Sequence, residues 1–112
     1  MNPEIYIASI EHSIERAKEH VATKDAVERL TRNRDFKKVI LEGYFEQEAI
    51  RLVHLKADPE FQTPEKQAEL HNEMLAIAGL RAYLDRLIQI GKMEEAAIPS
   101  HESELDALRS EV

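Results

Sequence analysis

The chain has 112 residues, enough for one domain with a single core, and 33% of them are charged while only 5% are aromatic. It carries 22 acidic against 15 basic side chains, a net charge of −7, and no cysteine. This excludes a disulfide framework, a zinc–thiolate site and a thiol nucleophile, and the negative balance argues against general nucleic-acid binding.

The acid excess is uneven. Residues 1–57 hold ten basic and ten acidic side chains, whereas residues 58–112 hold five and twelve. The local exception is Arg29, Arg32, Arg34, Lys37 and Lys38, five cations within ten residues. Three glycines and four prolines leave little turn chemistry, so the long polar–apolar patterns read as helices. The fold class expected is all-α, a small bundle of about four helices with an acidic amphiphilic tail. No stretch approaches the roughly 18 apolar residues of a membrane span. The first twenty residues lack the basic start and unbroken apolar run of a signal peptide. A soluble protein without a membrane partner is expected.

Asn2 caps the first predicted helix, with Pro3 at its first position. Ile7, Ile10, Ile14, Ala17 and Val21 recur at spacings of three and four, a narrow seam suited to one partner helix. After Val21 the apolar stripe shifts to Ala22, Ala26, Val27 and Leu30. The spacing predicts one helix over about 3–32, bent or interrupted near Thr23.

Asn33 is a candidate cap for a second helix over about 34–42, with Asp35 in its first turn. The densest apolar block follows: 12 apolar residues among the 22 from Phe36 to Ala57. Gly43 sits inside it. Phe36, Val39 and Ile40 form one stripe, and Phe45, Ala49, Leu52 and Val53 another. The change of stripe predicts a break at Gly43 as a left-handed C′ residue, then a third helix over about 45–57. The alternative is a helix running on through glycine at a cost of about 1 kcal/mol relative to alanine.

Pro59 ends that helix. Thr63, Pro64 and Glu65 supply hydroxyl cap, N1 proline and first-turn acid for a fourth helix over about 64–90. Its stripe is Leu70, Met74, Ile77, Leu80, Leu84, Leu87 and Ile88, with Gly91 as C′ residue. It is long enough to pair with helix 1 over its whole length. Residues 1–91 would form the bundle domain. Residues 92–112 would be a tail broken by Pro99, with six acids and one arginine after Met93. Ser103 with Asp106 resembles a capping box. Leu105, Leu108 and Val112 share one face of a short helix, marginal alone, so the segment is either a frayed tail or one that orders against something else.

Catalytic and metal chemistry find little support. His12, Glu15 and Glu19 share a helix face beside His20. Yet none of the five histidines has a glutamate three residues before it, as paired-helix carboxylate–histidine sites require, and no His-Glu-x-x-His occurs. Glu42, Glu46 and Glu48 flank Gly43 with His54 beyond, but helical carboxylates ordinarily face solvent. A non-enzymatic protein without cofactor or metal is expected. The block around Gly43 superficially matches a helix-turn-helix, but Glu46 and Glu48 would open the recognition helix and face phosphates. The candidate partner-binding residues are the cations Arg29, Arg32, Arg34, Lys37 and Lys38, the aromatic Tyr44, and the tail residues Leu105, Leu108 and Val112. One docking expected for the cations is onto the acidic tail from Glu94 to Glu111, within a chain or between subunits.

Residues 26–90 resemble small all-helical proteins of tailed bacteriophages. The residues that carry this are Asn33, Asp35, Phe36, Gly43, Tyr44 and Phe45, then Glu48, Ala49, Arg51, Leu52 and Val53. Asp58 and Pro59 follow, then Ala76, Ile77, Leu80, Arg81, Tyr83 and Leu84. The resemblance implies a virion component or assembly factor, in the virion or the host cytoplasm. It would act through protein–protein contacts with other virion subunits or a host protein, as a homo-oligomer. The alternative is a small acidic regulator that inhibits a host enzyme.

Overall fold

The computed structural model describes residues 3–111. These residues are helical with short connections and contain no strand: α1 (Pro3–Arg32), α2 (Arg34–Phe36), a π-helical segment (Lys37–Glu48), α3 (Ala49–Ala57), a 3₁₀ turn (Pro59–Phe61) and α4 (Pro64–Arg109). Asn2 and Val112 lie outside the described residues. The all-α class stands. The bundle of about four helices does not, because α2, the π segment and α3 are one rod and three helical rods result.

The expected break at Gly43 is therefore corrected. No described glycine has a positive φ, and Gly43 lies within the π segment. The partly or fully buried positions Phe36, Ile40, Tyr44, Glu48 and Leu52 recur every four residues. A four-residue step overshoots an α-turn by about 40°, so in a straight α-helix this stripe would wind off the core. π turns, closed by bonds one residue longer than those of an α-helix, wind less per residue and counter that drift. Of the two stripes that suggested a break, Phe36, Ile40, Phe45, Ala49 and Leu52 are partly or fully buried, while Val39 and Val53 are exposed.

Two further boundaries differ. The helix expected to end at Gly91 runs on to Arg109 through both Gly91 and Pro99. The interruption expected near Thr23 is absent, since α1 is continuous there and Thr23 Oγ1 donates to the Glu19 carbonyl at 3.1 Å. Nor does the stripe of α1 shift: Ala22, Ala26 and Leu30 are exposed, while Lys24 and Val27 are buried.

The chain divides into two compact units. One joins the residues up to 27 with those from 86 onward. Here Ile10, Ile14 and Leu105 are buried together, with Ile7 and Leu108 packed against them. Arg109 Nη2 donates to Glu11 Oε1 at 2.9 Å, and Lys24 Nζ lies 3.1 Å from Glu95 Oε2. Residue 11 meeting 109 while 24 meets 95 makes the pair antiparallel. In α4 the positions Gly91, Ile98 and Leu105 recur at seven and are each buried or half-buried, the repeat of a two-helix supercoiled seam. That packing carries the helix through Pro99, whose missing N–H and crowded ring cost about 3 kcal/mol in a helix interior. Pro99→Ala is expected to raise thermal stability by up to about 2 kcal/mol, read by circular dichroism melting; an unchanged or lowered midpoint would show that the proline is accommodated without cost.

The other unit is Glu28–Asp85. Its core is Leu52, Leu70 and Ile77, with Tyr44, Phe45, Ala49, Leu55, Phe61 and Met74 packed around it. The connection between α3 and α4 is held by side chains. Gln62 Nε2 donates to the Lys56 carbonyl at 3.0 Å and the Asp58 carbonyl at 2.8 Å. Gln67 Nε2 donates to the Phe61 carbonyl at 2.7 Å. The expected Thr63 cap forms, with Lys66 N donating to Thr63 Oγ1 at 3.3 Å. These bonds take up the carbonyls that end α3 and a free amide of α4.

Candidate functional site

The cation cluster is a consequence of Asn33. Its side chain accepts from Phe36 N at 3.0 Å and its carbonyl from Lys37 N at 2.9 Å, so the chain leaves α1 and re-enters helix within one residue. Arg32, Arg34, Lys37 and Lys38 thereby line one open cleft with Glu42. Arg29 is not among the lining residues. Arg29 and Arg32 lie in the last turn of α1, where cations suit the helix dipole. Arg34 and Lys37 lie in the first turn of the next rod and Lys38 just beyond it, where they oppose that dipole. None of the five is in an ion pair among the described residues.

Tyr44 is half-buried against the Leu52 cluster. Its ring centroid lies 6.0 Å from that of Phe45, tilted by 41°. It also walls a shallow groove with Val39, Ile40, Gly43 and Gln47, closed at one end by Glu48 and Arg51. Arg51 donates to both carboxylate oxygens of Glu48. That hydrogen bond, ahead of the charge attraction, holds the Glu48 carboxyl below the usual range and raises Arg51. Because the folded value is lowered, the pair contributes at neutral pH and is lost as pH falls through it.

Leu105 and Leu108 are not free for an outside partner, since both pack on α1. Residues 92–109 continue α4 along α1 of the same chain. Glu94 and Glu95, expected to meet the cations of residues 29–38, instead face His20 and Lys24. Val112 lies outside the described residues.

One arrangement went unread in the sequence. Lys24 is 7% exposed, and its Nζ reaches Asp25 Oδ1 at 3.2 Å as well as Glu95. Its stem lies directly over Gly91, where a Cβ would stand 2.3 Å from Lys24 Cβ. His20 Nδ1 approaches Glu94 Oε1 at 3.4 Å without hydrogen-bond alignment. A polar layer therefore interrupts the apolar seam. Such layers fix register at a cost in stability. The seven-residue spacing of Gly91, Ile98 and Leu105 was the signal that could have found it.

His12, Glu15 and Glu19 are exposed on α1, and no group of three or more His, Asp or Glu among the described residues is arranged to hold a metal. No described helix is long and apolar enough to cross a membrane. No family model matches the chain, and neither a curated protein nor a solved structure does.

Proposed function

We propose that this chain is a non-enzymatic assembly protein that works through helix–helix contacts and self-association. The observation that supports this is the surface left over once the helices have paired. Val39, Ile50 and Val53 on the middle rod are 62%, 58% and 61% exposed, and Leu75 on α4 is 55% exposed. Single exposed apolar residues are ordinary, but here four stand in a unit whose buried core cluster has three residues. Covering them with another protein surface would add burial that the chain by itself lacks. The resemblance of residues 26–90 to small tailed-phage proteins makes a phage particle the setting proposed for that contact.

Sedimentation velocity is expected to show species above the monomer mass at micromolar concentration. Mass spectrometry of purified particles is expected to find the chain among their proteins. A strict monomer that is absent from particles would overturn the reading. Stoichiometric capture of a host enzyme by the monomer would replace it with the inhibitor reading.

A further inference from the structure

We propose that the cation cluster at the junction of α1 and α2 is one half of a contact between two copies of this chain. The other half is the pair of exposed carboxylates Glu102 and Asp106 on α4. The proposal rests on the self-association reading and names the charges that drive it.

The cluster is placed against its local electrostatics. Arg34, Lys37 and Lys38 crowd one face of a helix start, at spacings of three and four. The dipole there favours acids, and the only acid in that first turn is Asp35. Four like charges share one cleft whose sole acidic lining residue is Glu42. No ion pair within the described residues relieves them. A chain with net charge −7 does not need exposed cations there for solubility. The arrangement asks for carboxylates from outside.

Such carboxylates exist on the chain itself. Glu102 and Asp106 line an open groove with Glu15, Leu105, Lys18 and Arg109 among others. Arg109 is already engaged by Glu11. Glu15, Glu102 and Asp106 are exposed and in no ion pair among the described residues. Glu102 and Asp106 stand four apart on α4, and Arg34 and Lys38 stand four apart on theirs. Two helix faces of opposite charge, each with its charges four residues apart, therefore complement each other. A nucleic-acid backbone fits less well. The basic face is about one turn wide, Glu42 lines it, Asp35 lies in the same first turn, and the unit that holds it carries eleven acids against nine bases. Made twice about a two-fold axis the contact closes a dimer, and made head to tail it closes a ring or extends a chain of copies.

The test is sedimentation velocity of the full chain across concentration, at low and high salt. The variants are K37E/K38E, E102K/D106K and the four substitutions combined. All four positions are exposed, and circular dichroism checks that helicity is kept. Each pair is expected to weaken association about tenfold or more, as is raising the salt several-fold. The combined variant is expected to return to within about threefold of the original. Association untouched by either pair leaves the assembly reading standing and removes this contact. So does a combined variant no better than its parents. A monomer at every concentration removes both readings. Tight, salt-steep binding of a duplex oligonucleotide that is lost in K37E/K38E would assign the cluster to phosphate and overturn the proposal.

Discussion

Replacing Leu52 by alanine is expected to cost the Glu28–Asp85 unit a large part of its stability, while exposed positions on the same helix turn tolerate truncation. Leu52 is 0% exposed and is the largest fully buried side chain. It sits with Leu70 and Ile77 at the point where α3 meets α4, and six partly buried apolar residues lean on that trio. Truncating a buried leucine removes its transfer free energy and leaves a cavity, together about 2–5 kcal/mol. The upper part of that range applies here, because aromatic residues set around a three-residue core cannot collapse into the gap from all sides. A domain of this size has about 5–15 kcal/mol in total. Urea unfolding followed by circular dichroism is the measurement. Val53→Ala, one residue along and 61% exposed, is the control and is expected to shift stability by no more than about 0.5 kcal/mol. Equal losses for the two variants would mean that α3 does not present this face to α4.

Some of this unit was legible in the sequence. The cap at Thr63, the proline stop after Ala57 and the helical class all follow from local chemistry that tertiary packing does not override. The seam of α1 from Ile7 to Val21 was legible for the same reason, because a repeat of three and four has one structural reading. What was not legible shares a cause. Gly43, Gly91 and Pro99 each carry a strong local preference to end a helix, and each is overridden. At Gly43 the π turns counter the drift of a four-residue stripe. At Pro99 the packing of Leu105 and Leu108 against α1 lies beyond the proline and carries the helix past it. Lys24 was hidden for a different reason. A lysine is assigned to solvent by its charge, yet its stem lies along the seam and its ammonium reaches Asp25 and Glu95, so stem and head follow different rules. The cation cluster was visible from the start. Its opposition to the helix dipole depends on where the second rod begins, which the Asn33 cap correctly indicated.

Gly91 gives the sharpest contrast between local propensity and packing. Replacing it by leucine is expected to destabilise the pairing of α1 with α4 by about 3 kcal/mol or more, although leucine is the better helix former by most of 1 kcal/mol. A Cβ at this position would lie 2.3 Å from Lys24 Cβ, 2.9 Å from Lys24 Cγ and 3.0 Å from the His20 carbonyl oxygen. The first is the root of a side chain and the last is backbone, so neither swings aside. Either the helices separate, or Lys24 leaves the layer and gives up Glu95. Even Gly91→Ala is expected to lose stability, because the overlap outweighs the gain in propensity. Gly79, on the same helix, decides the matter. A Cβ there meets nothing within 4 Å, so Gly79→Ala is expected to stabilise by up to about 1 kcal/mol through propensity alone. Opposite signs for the two alanine variants in thermal unfolding would establish that α1 presses on α4 at residue 91. Stabilisation by both would mean that the lysine layer does not form, and that the seam between Ile7 and Leu108 is held in some other register.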